Sequence, residues 1–477
     1  MSASDFSASV ARVQTMSPEV QRFAAGLRGT VIQPGDADYD AARQVWNAMI
    51  DRRPALIVRC AGVADVLSAV EFARAHHLPV AVRGGGHNVA GNATCDDGMV
   101  IDLSPMKSIR IDPARRVARA EPGLTWGEFD HETQALGLAL TGGIQSTTGI
   151  AGFTLGGGFG YLARKHGLTC DNLLSADVVT ADGQLLTASD TQNADLFWGL
   201  RGGGGNFGIV TSFEFRLFPL GPVFGGLLIY PAARARDVLR SYREFVTTVP
   251  DELFTIPIFS TAPAAPYLPP HLHGQPVLSI AVCYAGPPDV GERIVQPLRA
   301  FGPPAADRLG PMRYTDVQTL LDAANPRGRH NYWKAEYFTG YSDDALDTII
   351  AYTSRMPAPY SKVLLAHLQG AISRVGPDAT AYTHRQAPFL LNINAMWTDP
   401  RETDQQIAWA RDFWTAMRPF SAGGVYVNFL SDEGEDRVKA AYDPHTYARL
   451  AALKSRYDPT NFFRYNQNIT PAPTSPS

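Results

Sequence analysis

The chain has 477 residues, 45% of them apolar, and a formal net charge of -4. At roughly 100–200 residues per domain this length holds two or three folding units, and the near-average apolar content excludes wholesale disorder. The slight acidic balance gives no basic field for nucleic acid or an anionic membrane, and no apolar run approaches the ~20 residues that span a bilayer, so small-molecule chemistry in a soluble, cytoplasmic protein is expected.

In chain order, the opening stretch MSASDFSASVARVQTMSPEV is a polar leader without the basic start, apolar run and cleavage site of a secretion signal. Residues 36–60 read as a helix running into a strand over 55–59. Over 63–78, Val63, Val66, Leu67, Val70, Phe72 and Ala73 recur at helical spacing. A second strand over 78–84 completes a β-α-β unit aimed at the loop RGGGHN. Strands over 98–104, 108–112 and 116–123 follow, then a helix over 125–138. Residues 142–160 hold the densest turn chemistry, where glycine permits positive φ and close approach of backbone to a ligand. From Val223 the texture changes to alternating strands such as 225–231 and 276–286, separated by proline-rich turns. The runs KVLLAHLQG and PFLLNINAMW alternate like neighbouring strands of one sheet. A helical run over 446–459 leads to the closing NFFRYNQNI, and TPAPTSPS is a disordered tail by composition.

Cys60, Cys95, Cys170 and Cys283 are scattered, which argues against a disulfide framework or a zinc cluster, and no metal is expected. Gly203, Gly205 and Gly208 fit G-x-G-x-x-G, but the residues that follow read as a strand, whereas a dinucleotide fingerprint opens a helix. A glycine turn beside some other part of a cofactor fits better. The successive glycines of RGGGHN can form an anion-binding nest for a diphosphate, with a tight structural turn as the plain alternative. His87 there is either a hydrogen-bond donor or, when neutral, a nucleophilic anchor.

Four ordered motifs, RGGGHNVAG, TTGIAGFTLGGGFGYLARKHGL, LRGGGGNFGIVTSFEF and YDPTNFFRYNQNI, resemble the berberine-bridge-enzyme-like branch of the vanillyl-alcohol-oxidase-type flavoproteins over nearly the whole chain. The resemblance implies an α+β fold: a PCMH-type FAD-binding domain of two α/β subdomains over 1–222, with its core at about 50–220. It further implies an inserted substrate domain over 223–424, in which helices flank an antiparallel sheet, a segment over 425–470 returning to the FAD domain, and a tail over 471–477. The implied FAD contacts are Arg83, Gly84, Gly85, Gly86, His87, Asn88 and Gly91 in the first motif, and Thr147, Thr148, Gly149, Gly152, Gly156, Gly157, Gly158 and Gly160 in the second. Gly208, Ile209 and Val210 follow in the third motif, and Tyr465, Asn466 and Asn468 in the last.

In that family the histidine of the first motif is bonded to the flavin 8α-methyl group, which makes His87 the implied tether. Where many members carry a second, cysteine tether, this chain has Gln145 and Ser146, and Cys170 lies too far along, so one covalent link is expected, as in the 6-hydroxynicotine-oxidase-like bacterial subgroup. The tyrosine base of sugar- and alcohol-oxidising relatives falls on Phe429. Another group must then take the proton, or the substrate is an amine that loses hydride without strong base assistance. His367 and Gln369 share one strand face, Asn392 and Asn394 another, and Asn428 with Tyr426 flanks the lost base. His367 is favoured because imidazole titrates near neutrality. Tyr332 and Lys334 are weaker candidates, a solvated strand lysine being the ordinary outcome. Ile150, after the T-x-G glycine, is expected to border the reactive face of the ring and hinder dioxygen.

The expected function is an FAD-dependent oxidoreductase that removes hydride from a C–H next to N or O of a small amine or alcohol and passes electrons to dioxygen or another acceptor, as a monomer or homodimer. The alternatives are a flavin-bearing binding or sequestering protein without turnover, and an oxidative cyclase of natural-product biosynthesis.

Overall fold

The computed structural model describes residues 18–473. The first 17 residues of the polar leader and the last four of the tail lie outside the described residues. Strands β1 (Thr30–Ile32), β2 (Leu56–Arg59), β3 (Val80–Arg83) and β4 (Met99–Asp102) form a sheet in the order β1-β2-β4-β3, with β2, β4 and β3 parallel. Leu56, Val58, Met99 and Ile101 on one face and Ile57 and Val100 on the other are all fully buried, because a parallel sheet is covered on both faces. The helix Val63–Ala75 crosses from β2 to β3 and turns Val66, Ala69, Val70 and Ala73 inward. The expected β-α-β unit is present with β4 slotted between its two strands.

The helix expected from residue 36 shrinks to one turn, Tyr39–Ala42. Beyond it the backbone is recruited by distant segments: Trp46 N donates to Gly86 O at 2.9 Å and Ala48 N to Arg329 O at 2.9 Å. The Asn47 side chain donates to Val89 O at 2.7 Å and Asn331 O at 2.9 Å. These long-range bonds satisfy the polar groups that a helix would have satisfied locally.

The strands that follow are β5 (Ile109–Asp112), β6 (Val117–Ala120), β7 (Leu138–Ala139), β8 (Leu173–Val179), β9 (Leu185–Ser189), β10 (Ile209–Arg216) and β11 (Phe218–Pro219). Five of them make an antiparallel sheet, β5-β6-β10-β8-β9, and β7 pairs β11. The helix Trp126–Gln134 begins at a capping box of Thr125 and Glu128. The glycine run 202–208 feeds strand β10, so its G-x-G-x-x-G pattern opens no helix.

The third sheet comprises β12 (Val223–Pro231), β13 (Leu253–Thr261), β14 (Pro276–Tyr284), β15 (Ala306–Asp307), β16 (Gly310–Met312), β17 (His330–Phe338), β18 (Lys362–His367) and β19 (Phe389–Trp397). Its order is β15-β12-β14-β13-β18-β19-β17, antiparallel throughout, with β16 on β12. The two alternating runs of the sequence are neighbours, β18 and β19. On one face Val363, Leu365, Leu391 and Ile393 pack with the helices Ala235–Phe245, Asp343–Thr353 and Thr403–Met417. On the other, Ile256, Ile258, Leu364 and Leu390 share a core with Phe213, Phe215 and Leu155 of the preceding part. That second face roofs the site.

Candidate active site

A cavity of about 790 Å³ lies where the first two sheets meet the roof. Along one side run Gly84, Gly85, Gly86, His87 and Asn88 after β3, Thr148, Gly149 and Gly152 around the start of the helix Ile150–Leu155, and Gly208, Ile209 and Val210 entering β10. Tyr465 and Asn466 close that side, together with Gly204 and Gly205 from the run the sequence marks as a cofactor-side turn. The two principal loops touch backbone to backbone: a Cβ on Gly85 would stand 2.6 Å from Gly149 Cα. Only glycine at both positions allows that approach, and it merges two amide-lined loops into one strip.

His87 stands at this strip with its ring stacked on Trp46, centroids 4.3 Å apart and planes within 18°. Its Nε2 is enclosed and has no hydrogen-bond partner. Burial, helped by the positive charge of Arg327, pulls the imidazole down to about 4, so it is neutral at physiological pH. A neutral ring with one unused, enclosed nitrogen beside two touching glycine loops is a residue set that would suit a flavin dinucleotide. Gln145 also lines the cavity. Cys170 is buried and free, outside the cavity wall.

The roof supplies the polar groups on the other side. Trp333 on β17, Asn394 on β19 and Lys362 on β18 are direct cross-strand partners, forming one row that faces the cavity. Asn392, two residues along, also lines it and donates to Lys334 O at 3.3 Å, whereas Asn394 Oδ1 is buried without a partner. Lys362 Nζ donates to Ala324 O at 2.5 Å and to Asn325 Oδ1. Burial brings this amine down to about 7. Asn428 lines the cavity while donating to Phe153 O at 3.1 Å and to the Tyr426 hydroxyl at 2.9 Å, and that hydroxyl accepts from Gly158 N at 3.0 Å. Phe429 faces the cavity too, edge-on to Trp333 at 5.5 Å.

Several expected site residues lie elsewhere. His367 sits on the opposite face of β18 from Lys362, packed on Phe389, with Nε2 3.1 Å from Arg164 Nη1. A guanidinium only donates, so Nε2 accepts and the ring is neutral; burial and then the Arg164 charge push it down to about 3. Gln369 is exposed, past the strand end, at φ +67°. The strand period holds and its phase is off by one residue, so the overlooked Lys362 takes the cavity side.

Arg83 is committed to Asp102 at 2.8 Å, and Thr147 is exposed. Gly91, Gly156, Gly157, Gly158 and Gly160 are glycines for packing: an added Cβ would strike Ile50, Asn428, Tyr382, Phe153 and Gly142 O in turn. Asn468 belongs to a small adjoining cavity of about 220 Å³. Ile150 is wholly buried in the core and does not line the site. Lys334 is not solvated; it pairs with buried Glu433, and Tyr332 accepts from Arg411 at 3.1 Å on the helix side of the sheet.

Comparisons with known proteins agree with this geometry. Residues 54–189 match the family model described as an FAD binding domain, and residues 425–470 the one described as berberine and berberine like. An FAD-linked oxidoreductase of Dictyostelium discoideum is 31% identical over 457 residues, covering 95% of this chain and 97% of that protein. The (R)-6-hydroxynicotine oxidase of Paenarthrobacter nicotinovorans is 30% identical, covering 93% of this chain and 97% of that protein. The crystal structure of 6-hydroxy-D-nicotine oxidase from Arthrobacter nicotinovorans superposes with a TM-score of 0.84 at 30% identity, covering 94% of this chain and 99% of that one. A xylooligosaccharide oxidase from Myceliophthora thermophila shares the fold alone, with a TM-score of 0.82 at 23% identity over 95% of this chain and all of that one. The α+β architecture, the glycine strip and these relationships together make the chain a member of the berberine-bridge-enzyme-like family of FAD-linked oxidoreductases.

Proposed function

We propose that this oxidoreductase carries its FAD on a single covalent bond to His87 and removes hydride from a C–H next to oxygen or nitrogen in a small, largely apolar molecule. The observation that carries the reading is the neutral His87 ring, held by Trp46 with an enclosed, unpartnered Nε2 at the head of a cavity that continues under the third sheet. Bound FAD supplies a two-electron hydride acceptor that the side chains lack. The glycine strip offers backbone amides to its diphosphate. Trp333 and Phe429 exclude water from the roof side, and the buried Asn394 Oδ1 is an acceptor for a substrate donor. Leu227, Ile229, Ile258 and Leu268 extend the wall with apolar surface, which suits an aromatic or alkyl body better than a sugar chain.

Denatured protein separated on SDS gels should keep its flavin fluorescence, and peptide mass analysis should find the flavin on the His87 peptide. His87→Ala should abolish both signals. Flavin released freely from the denatured wild type would refute the tether while leaving the FAD enzyme intact.

A further inference from the structure

Among the described residues, Lys362 is the only Lys, Arg, Asp or Glu in the cavity wall. Its partners decide what its nitrogen can do. Ala324 O is a carbonyl and only accepts. Asn325 presents its oxygen, because its Nδ2 is already given to Leu321 O at 2.7 Å. A neutral amine has two N–H bonds and one lone pair, so two acceptors use both donors and leave the lone pair free for a third direction. The charged groups nearby are engaged elsewhere. Asp322 accepts from Ser146 N at 2.9 Å and from its hydroxyl at 2.5 Å, and Arg329 lies over the Tyr360 ring. The neighbouring strands β13 and β19 carry no ionisable side chain. Burial alone then sets the proton affinity, near 7, so amine and ammonium coexist at neutral pH.

We propose that Lys362 is the proton acceptor for the substrate's hydroxyl, and that the substrate is an alcohol on a largely apolar body. This rests on the hydride-removing function proposed above. In the step, the substrate O–H bond breaks and its proton forms a new N–H bond on Nζ. The electron pair of the neighbouring C–H leaves as hydride to the bound FAD, and the oxygen pair closes the C=O bond of an aldehyde or ketone. The ammonium afterwards returns its proton to water. An amine substrate would need no such acceptor, and a base in this role typically contributes about 10²–10⁴-fold in rate.

Two readouts test the base apart from turnover. Trace acetylation of the holoprotein with acetic anhydride, followed across pH by peptide mass analysis, should give Lys362 a midpoint near 7, well below that of exposed Lys439, which Glu435 holds up; a midpoint shared with Lys439 overturns the proposal. The second probe is 4-nitrophenol, whose colour reports its ionisation. Just below its own pKa it should bind the wild-type holoprotein as phenolate, having given its proton to Lys362, and should bind Lys362→Met as neutral phenol. Neutral binding to the wild type, or no binding, overturns the proposal. Lys362→Arg separates proton acceptance from simple charge: a guanidinium that restores alcohol-driven flavin bleaching would leave no role for a base. Failure of the flavin tether would show only on the His87 peptide and leave the acetylation profile of Lys362 unchanged.

Discussion

His87 and His367 carry the same ring and the same neutral charge, and they differ in what meets their nitrogens. At His87 the enclosed Nε2 has no hydrogen-bond partner, so its bonding capacity remains for something that enters the cavity. At His367 the corresponding nitrogen is taken by Arg164, which also bonds Leu368 O and Leu253 O and thereby joins the helix Ala163–His166 to the roof strands. His367→Phe should therefore lower stability by roughly 1–3 kcal/mol, the cost of an unsatisfied buried donor, and leave flavin content and substrate-driven bleaching unchanged. Thermal unfolding alongside anaerobic bleaching checks this; a loss of bleaching in a folded variant would return His367 to the chemistry. The loop glycines stand out in the sequence because a loop that must touch another backbone, as Gly85 touches Gly149, has one residue type available, whereas those at Gly91, Gly156, Gly157, Gly158 and Gly160 serve packing and look the same. Lys362 was hidden because alternation gives a strand's period and not its phase. The phase is set by which face the helices cover, a tertiary fact.

At the scale of elements, the closing motif is a latch built on one buried ion pair. Lys454 and Asp458 are fully enclosed, 2.6 Å apart. Lys454 also donates to Asn206 O at 2.8 Å and Phe463 O at 2.9 Å, while Asp458 accepts from the backbone N–H groups of Phe462 and Phe463. Asn206 in turn accepts from Ile469 N at 2.9 Å, and Asn466 donates to Gly205 O at 3.2 Å. Removing one member of such a pair strands the other, at about 3–5 kcal/mol. Asp458→Ala should thus lose stability of that order in denaturant titrations. It should also lose flavin per folded protein, because the run 202–208 is no longer held against the strip; full flavin loading in the variant would show that the latch is structural only. The sequence reveals this helix and the motif after it, yet it suggests a helix over residues 36–54 that the fold does not form. Residues of this stretch serve distant partners instead, Trp46 for His87 and Asn47 for Val89 and Asn331, and no local signal distinguishes the two uses.

For the whole molecule, pH acts through buried groups of opposite sign. His166 and His367 are held down to about 4 and about 3, mainly by burial. Below their ordinary value near 6.5 the unfolded chain binds protons that the folded one refuses, so stability falls as pH drops from about 6.5 toward 4. Asp130, bonded to Gln318 at 2.8 Å between the helices Trp126–Gln134 and Tyr314–Gln318, is pushed up to about 8 by burial. It keeps a proton that the unfolded chain has lost, so its contribution is present below about 4 and is lost as pH rises through about 8. Asp130→Asn, which mimics the protonated acid, should match the wild type near pH 4 and exceed it by more than about 1.4 kcal/mol at pH 8, since each tenfold change in proton affinity is worth about that much. Paired thermal melts at the two values measure it, and an equal offset at both would remove Asp130 from the account.

The glycine strip is closed by residues far along the chain: Tyr465 bridges Ala81 beside the loop that carries His87, and Ile469 reaches back to Asn206. During synthesis that loop emerges early and its closing flank long afterwards, so the berth for the cofactor stands open on one side while the third sheet is still being made. The berth is thus complete only once the residues after Asp458 have folded back onto the early loops.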